Sequence, residues 1–167
     1  MGKKNYLIEG VSCTGKTSVC SALEARGYHA LNGDRVLAYC GDPTTGAPLD
    51  HVGHDTHIWD VNKVKELAED PQHCATFFCG GSRNFNKFIH LFDKVFVLEI
   101  DLATLNKRLS ERPTDDWGGH ESERELIRQL HANGGDVPAS GTRIDATAPI
   151  QQVVDQILAH CGLSRRL

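Results

Sequence analysis

Apolar positions along the chain follow two alternating rhythms. Short continuous runs stand at Tyr6-Leu7-Ile8, His29-Ala30-Leu31, Cys74 to Cys79, Lys94 to Ile100 and Thr142-Arg143-Ile144. Runs of this kind, bounded by turn residues, read as strands buried on both faces. Between them apolar residues recur three and four apart, as in Val19, Ala22 and Leu23, or Leu102, Leu105 and Leu109. Ile58, Val61, Val64, Leu67 and Ala68 predict one helix, and Leu126, Ile127 and Leu130 another. Phe85, Phe88 and Ile89 predict a helix after the third run, and Ile150 to Cys161 carries a single apolar stripe. Strands alternating with helices predict an α/β fold: three layers, α/β/α, around a five-stranded parallel sheet, in one domain spanning 1–167.

Glycine, proline and capping residues punctuate this pattern. Gly27 closes the first helix, and Pro149 opens the last. Ser122-Glu123-Arg124-Glu125 fits a capping box for a helix that stops near Asn133-Gly134. Two segments interrupt the alternation. Residues 41–57 are rich in Gly, Pro, Thr, Asp and His, and with the helix behind them form an excursion over about 41–70. A polar, glycine-bearing insert over about 112–122 has the composition of a short lid.

Composition narrows the function classes. The 167 residues are 40% hydrophobic and 24% charged, an ordinary globular balance. With 18 Lys and Arg against 22 Asp and Glu, a basic nucleic-acid surface is not expected. No stretch approaches the ~20 apolar residues that span a bilayer, and the start runs straight into a strand-like segment, so neither a membrane span nor a signal peptide is expected. Six scattered cysteines without a Cys-x-x-Cys pair read as reduced thiols, which places the chain in the cytoplasm.

The strongest chemical signal is Gly10-Val11-Ser12-Cys13-Thr14-Gly15-Lys16-Thr17, a match to G-x-x-x-x-G-K-[ST] with a strand before it and a helix after it. Glycines let backbone N–H groups curl around phosphate, and the helix N-terminus adds positive potential. Lys16 is expected on the β- and γ-phosphates, and the Thr17 hydroxyl on Mg²⁺. No Asn-Lys-x-Asp guanine-reading motif is present. The third strand ends in Cys79-Gly80-Gly81 and not in the acid that motor-type ATPases place there. What remains is a kinase for a small molecule or nucleotide.

The sequence resembles the P-loop kinases of the nucleoside monophosphate kinase class, which includes adenylate, shikimate and gluconate kinases. Gly10 to Thr17 is the most specific match, and Ser18 continues it. Asn32-Gly33-Asp34-Arg35 looks like the segment where these kinases place an acid beside the acceptor. Gly80-Gly81-Ser82-Arg83 sits where they carry an arginine that grips it. Arg108 and Arg112 look like lid arginines, and Ile144 to Pro149, with Ala146 and Thr147, like the adenine-side loop. The resemblance implies an ATP- and Mg²⁺-dependent phosphotransferase. Lys16, Asp34 and Arg112 would be catalytic, and Asp34 would join Thr17 at the metal. Gly10, Ser12, Cys13, Thr14, Gly15, Arg108, Ala146 and Thr147 would hold ATP, and Asp34, Arg35, Trp59 and Arg83 the acceptor. The missing acid after the third strand departs from the family pattern and shifts weight to Asp34.

Each candidate also has a plainer reading. Asp34 suits a helix N-cap. Arg83 in a first helical turn opposes the helix dipole, so an anionic ligand or an acid partner is expected beside it. Read alone, Arg83 suggests an anionic acceptor; yet one arginine is few for a monophosphate, and an uncharged nucleoside or sugar stays open. His51, His54 and His57, three apart in a glycine-bearing loop, lack ligand geometry and read better as a polar acceptor-side loop than as a zinc site. Trp59 suits the core, and Trp117, between Asp116 and Gly118, suits an exposed place on the lid. The expected function is phosphorylation of a nucleoside or nucleotide, by a monomer or homodimer with no nucleic-acid or membrane partner. The alternatives are a kinase for a sugar, shikimate-like acid or antibiotic, and a nucleotide-binding regulator with little turnover.

Overall fold

The computed structural model describes residues 2–135 and 137–163. Five parallel strands form the central sheet: β1 (Lys4–Gly10), β2 (His29–Asn32), β5 (Ala75–Cys79), β6 (Lys94–Glu99) and β7 (Thr142–Asp145), in the order β2-β5-β1-β6-β7. β1 lies at the centre, with Leu7 opposite Phe78 on one side and Val95 on the other. Helices α1 (Lys16–Ala25), α3 (Val61–Glu69), α4 (Leu102–Ser110), α5 (Glu121–Asn133) and α6 (Ile150–His160) make the crossovers. This is the predicted α/β architecture.

Alternation along the strands divides the core. Tyr6 and Ile8 of β1 join Phe77, Phe96 and Leu98 on the face covered by α1, α4, α5 and α6. Leu7 and Phe78 point the other way, onto Trp59, Val64, Ala68 and Phe88. Period-two side-chain direction accounts for the split.

Four local features correct the sequence reading. A two-stranded antiparallel ribbon, β3 (Ala38–Cys40) with β4 (His57–Trp59), brackets residues 41–56 of the excursion and is reached through a single turn of helix, α2 (Gly33–Val36). Ile58 therefore belongs to a strand, and α3 starts behind Asp60, whose carboxylate accepts from Lys63 N at 3.2 Å. The helix expected at Phe85 is two short 3₁₀ turns, 85–87 and 89–91. Its start is committed elsewhere. Arg83 N donates to His57 O, and the Asn84 side chain bonds both Trp59 N and Trp59 O at 3.0 Å. Arg83 thus sits in a segment docked on β4 and not in a first helical turn. Last, α5 begins two residues before the expected box: Glu123 Oε2 accepts from His120 N at 3.2 Å and Gly118 N at 3.1 Å, and so ties the insert to the helix.

Candidate active site

The carboxyl ends of β1, β2 and β5 open into one cleft of about 850 Å³. Open parallel sheets bind ligands at this edge. The loop after β1 is wound tightly: Thr14 Oγ1 donates to Val11 O at 2.7 Å, and Val19 N bonds Gly15 O at 2.9 Å. Gly15 takes φ 101°, a conformation glycine adopts without penalty, whereas Cys13 holds φ 72° as a non-glycine and stores strain there. No acidic residue stands in the first turn of α1, so its N–H groups and dipole face the cleft uncompensated. Lys16 Nζ donates to Gly10 O across the mouth of the loop.

Arg108 braces this end of the cleft. Its Nη1 donates to Cys13 O at 2.8 Å and its Nη2 to Ala146 O at 3.2 Å, joining the phosphate loop to the loop after β7. Arg112 Nη1 donates to Trp117 O at 3.3 Å, and Trp117 Nε1 donates to Ser12 Oγ at 3.2 Å. The insert therefore rests on the phosphate loop through an indole. His54 from the excursion lies parallel to that indole, with ring centroids 6.1 Å apart.

The other end is organised around Asp34. Three donors converge on Oδ1: His57 Nε2 at 3.0 Å, Trp59 Nε1 at 3.2 Å and Gly81 N at 3.3 Å. Burial works against ionisation, but the His57 hydrogen bond and the Lys16 charge prevail and hold the Asp34 pKa below the ordinary carboxylate value. The backbone makes room for this cluster at Gly80, which has φ 144°. A Cβ there would stand 2.8 Å from Asp34 Oδ1 and from the Trp59 ring.

All but three of the residues expected at the site line this cleft, from Gly10, Ser12, Cys13, Thr14, Gly15, Lys16, Thr17 and Ser18 to Asp34, Arg83, Arg108, Arg112 and Ala146. Arg35, Trp59 and Thr147 stand outside its lining. Trp59 is 1% exposed, stacked on Phe88 with centroids 5.5 Å apart, and reaches the site only through its N–H on Asp34. The three histidines diverge: His51 toward Asp55 at 3.6 Å, His54 onto Trp117, His57 onto Asp34. No group of three or more His, Cys, Asp or Glu able to hold a metal occurs among the described residues.

Two contributors escaped the sequence reading. His57 was one of three similar histidines, and only the β3–β4 ribbon singles it out. Glu9 stands one residue before the end of the central strand yet is 1% exposed, and its Oε1 accepts from Gly10 N at 3.2 Å. A carboxylate inside an apolar β1 run was itself a signal, since acids are seldom fully buried unless paired.

No protein-family model and no curated protein matches the sequence. Solved structures do. A sugar kinase from a Janibacter species aligns at 17% identity over 98% of this chain and 96% of its own, with a TM-score of 0.60. A shikimate kinase from Bacteroides thetaiotaomicron aligns at 15% over 96% and 99%, TM-score 0.63. A deoxyadenosine kinase from M. mycoides, solved with bound dATP, aligns at 12% over 94% and 98%, TM-score 0.54. The chain has the P-loop kinase fold of these proteins.

Proposed function

We propose that this protein is an ATP-dependent kinase that transfers the γ-phosphoryl group to a hydroxyl of a small acceptor, a nucleoside or nucleotide. The observation that carries the reading is that Lys16 and Asp34 face one cleft, close enough that the Lys16 charge acts on the carboxylate. The phosphate loop and α1 would hold the triphosphate, and Arg108 and Arg112 would meet the charge that spreads over the transferring group. Phosphoryl transfer needs little covalent help from a protein; positioning and charge stabilisation supply the rate. The acceptor oxygen bonds to the γ-phosphorus, the bond to the bridging oxygen breaks toward ADP, and the hydroxyl proton passes to Asp34 and on to solvent.

Magnesium suits the donors present. Thr17 and Asp34 offer hard oxygen ligands in the cleft, few enough for an ion that keeps most of its waters. When bound, it would neutralise phosphate charge, with Thr17 and Asp34 as its protein contacts. A cytoplasmic location fits six free cysteines, and a monomer or homodimer fits a site built within one chain.

A second reading is favoured by one observation: a sugar kinase, shikimate kinases and a gluconokinase stand among the solved structures that align, beside the deoxyadenosine kinase. Their names point to non-nucleotide hydroxyls. ADP release measured with ATP against panels of nucleosides, nucleotides, sugars and hydroxy acids separates the readings. We expect acceptor-stimulated turnover from the nucleoside or nucleotide panel. Slow ADP release that no acceptor stimulates would instead mark a nucleotide-binding regulator.

A further inference from the structure

The way Asp34 is held goes further than the kinase reading on which this inference rests. Its own element gives the carboxylate little direction. Asp34 stands in α2, a helix of four residues, and a single turn fixes several backbone angles for one hydrogen bond. The carboxylate is aimed by donors from elsewhere in the chain, all on Oδ1: His57 Nε2 at 3.0 Å, Trp59 Nε1 at 3.2 Å and Gly81 N at 3.3 Å. Among the described residues no hydrogen bond falls on Oδ2, so the contacts that fix one oxygen present the other. With its pKa lowered, Asp34 is ionised at neutral pH and can only accept, and this partner assigns a proton to His57 Nε2.

The three donors are not equivalent. Trp59 is buried against Phe88, and Gly81 contributes a backbone N–H, so both stay where the core puts them. His57 makes the shortest contact, and its half-exposed ring lines the cleft. Burial disfavours charge on Asp34, and of the groups that oppose it the His57 hydrogen bond acts most strongly, ahead of the Lys16 charge. The main chain of His57 is engaged as well: its carbonyl accepts from Arg83 N at 2.9 Å. One residue therefore gives a side chain to Asp34 and a carbonyl to the Arg83 segment, and the pairing of Cys40 with His57 in the ribbon sets both. We infer that His57 is a positioning residue for the transfer: its Nε2–H fixes Asp34 Oδ1 and so points Oδ2 at the oxygen to be phosphorylated. It acts through Asp34 and takes no part in bond making. Without it the carboxylate turns about its Cβ–Cγ bond, and a reacting group misplaced by about 1 Å can cost on the order of 10²-fold in rate.

Two substitutions separate this role from a merely structural one. His57→Leu removes the N–H, whereas His57→Gln returns a donor near the place of Nε2; the carbonyl that Arg83 N uses survives in both. ADP formation at saturating ATP is measured with adenosine, AMP, ribose and shikimate, and the compound that stimulates most is titrated against each variant. We expect kcat of His57→Leu to fall by about 10- to 100-fold, the scale of a lost hydrogen bond to a charged group, with KM for that compound and for ATP within about twofold. His57→Gln should recover most of the loss. Added to Asp34→Asn, His57→Leu should cost less than about threefold more, because the group it positions is already gone. Unchanged kcat in a folded His57→Leu protein, a loss that His57→Gln does not recover, a loss carried by KM, or full additivity with Asp34→Asn each overturns the inference. If none of the four compounds stimulates ADP release, the kinase reading fails and stability decides the hold by itself. In denaturant unfolding of His57→Leu, Asp34→Ala and the double variant, the folding constants should then couple by about tenfold, and simple additivity would overturn it.

Discussion

The two ends of the cleft are built by different means. On the proposed reading the nucleotide end is built mainly from one contiguous stretch, Gly10 to Thr17, braced by Arg108, and its ligand groups would be mostly backbone N–H of a loop and a helix start. The acceptor end is assembled from four separated pieces: Glu9 on β1, Asp34 after β2, His57 and Trp59 on β4, and Gly80 to Arg83 after β5. There side chain meets side chain, and each group's state depends on neighbours distant in sequence. Backbone-based recognition tolerates variation around it. Side-chain assembly does not, and one misplaced member should spoil the rest.

This contrast can be broken first at its strongest point. Lys16→Ala removes a cation that acts on phosphate and packs little, so turnover should fall by about 10²–10³-fold with the melting temperature unchanged. Full turnover in the folded variant would remove the nucleotide end from the mechanism. Gly80→Ala probes the acceptor end through the backbone. Its φ of 144° and the 2.8 Å approach to Asp34 Oδ1 and Trp59 leave no place for a methyl group. We expect a stability loss of about 1–3 kcal/mol in denaturant titration, with kcat falling while ATP affinity holds. An unchanged kcat would mean that Asp34 is not held from that side.

A smaller effect lies in the pH dependence of stability. Because the folded-state pKa of Asp34 is lowered, its contribution is present above the ordinary carboxylate value and lost as pH falls through the lowered one. The stability gap between wild type and Asp34→Asn should stay flat through neutral pH and shrink only in strongly acid solution. Partial exposure keeps the gap modest. Calorimetric melting across pH measures it, and a gap that closes near neutrality would contradict the assignment.

The same contrast explains what the sequence could carry. Gly10 to Thr17 is legible because its chemistry follows chain order: strand, glycine turn, lysine, helix. Asp34 and Arg83 were legible as types at the ends of strands. Their partners were not. Nothing local distinguishes His57 from His51 and His54; the ribbon register that sets Cys40 opposite His57 and Ala38 opposite Trp59 does so. The expected helix at Phe85 failed for a related reason. Its apolar spacing is helical, but Asn84 and Arg83 give their hydrogen bonds to β4, a tertiary demand that periodicity cannot express. Five parallel strands were readable from short apolar runs, whereas the three-residue strands β3 and β4 flank a segment rich in glycine and proline and are too short to show a period of their own.

The most direct measurement is steady-state transfer by Asp34→Asn. The amide keeps an oxygen for His57, Trp59 and Gly81, while it places an N–H donor where the acceptor hydroxyl needs an acceptor atom. We expect kcat to fall by about 10²–10⁴-fold, the range for a lost general base, with KM for ATP unchanged. Retained kcat in the folded variant, or a loss carried by KM for ATP, would contradict a cleft whose two ends divide nucleotide binding from acceptor chemistry.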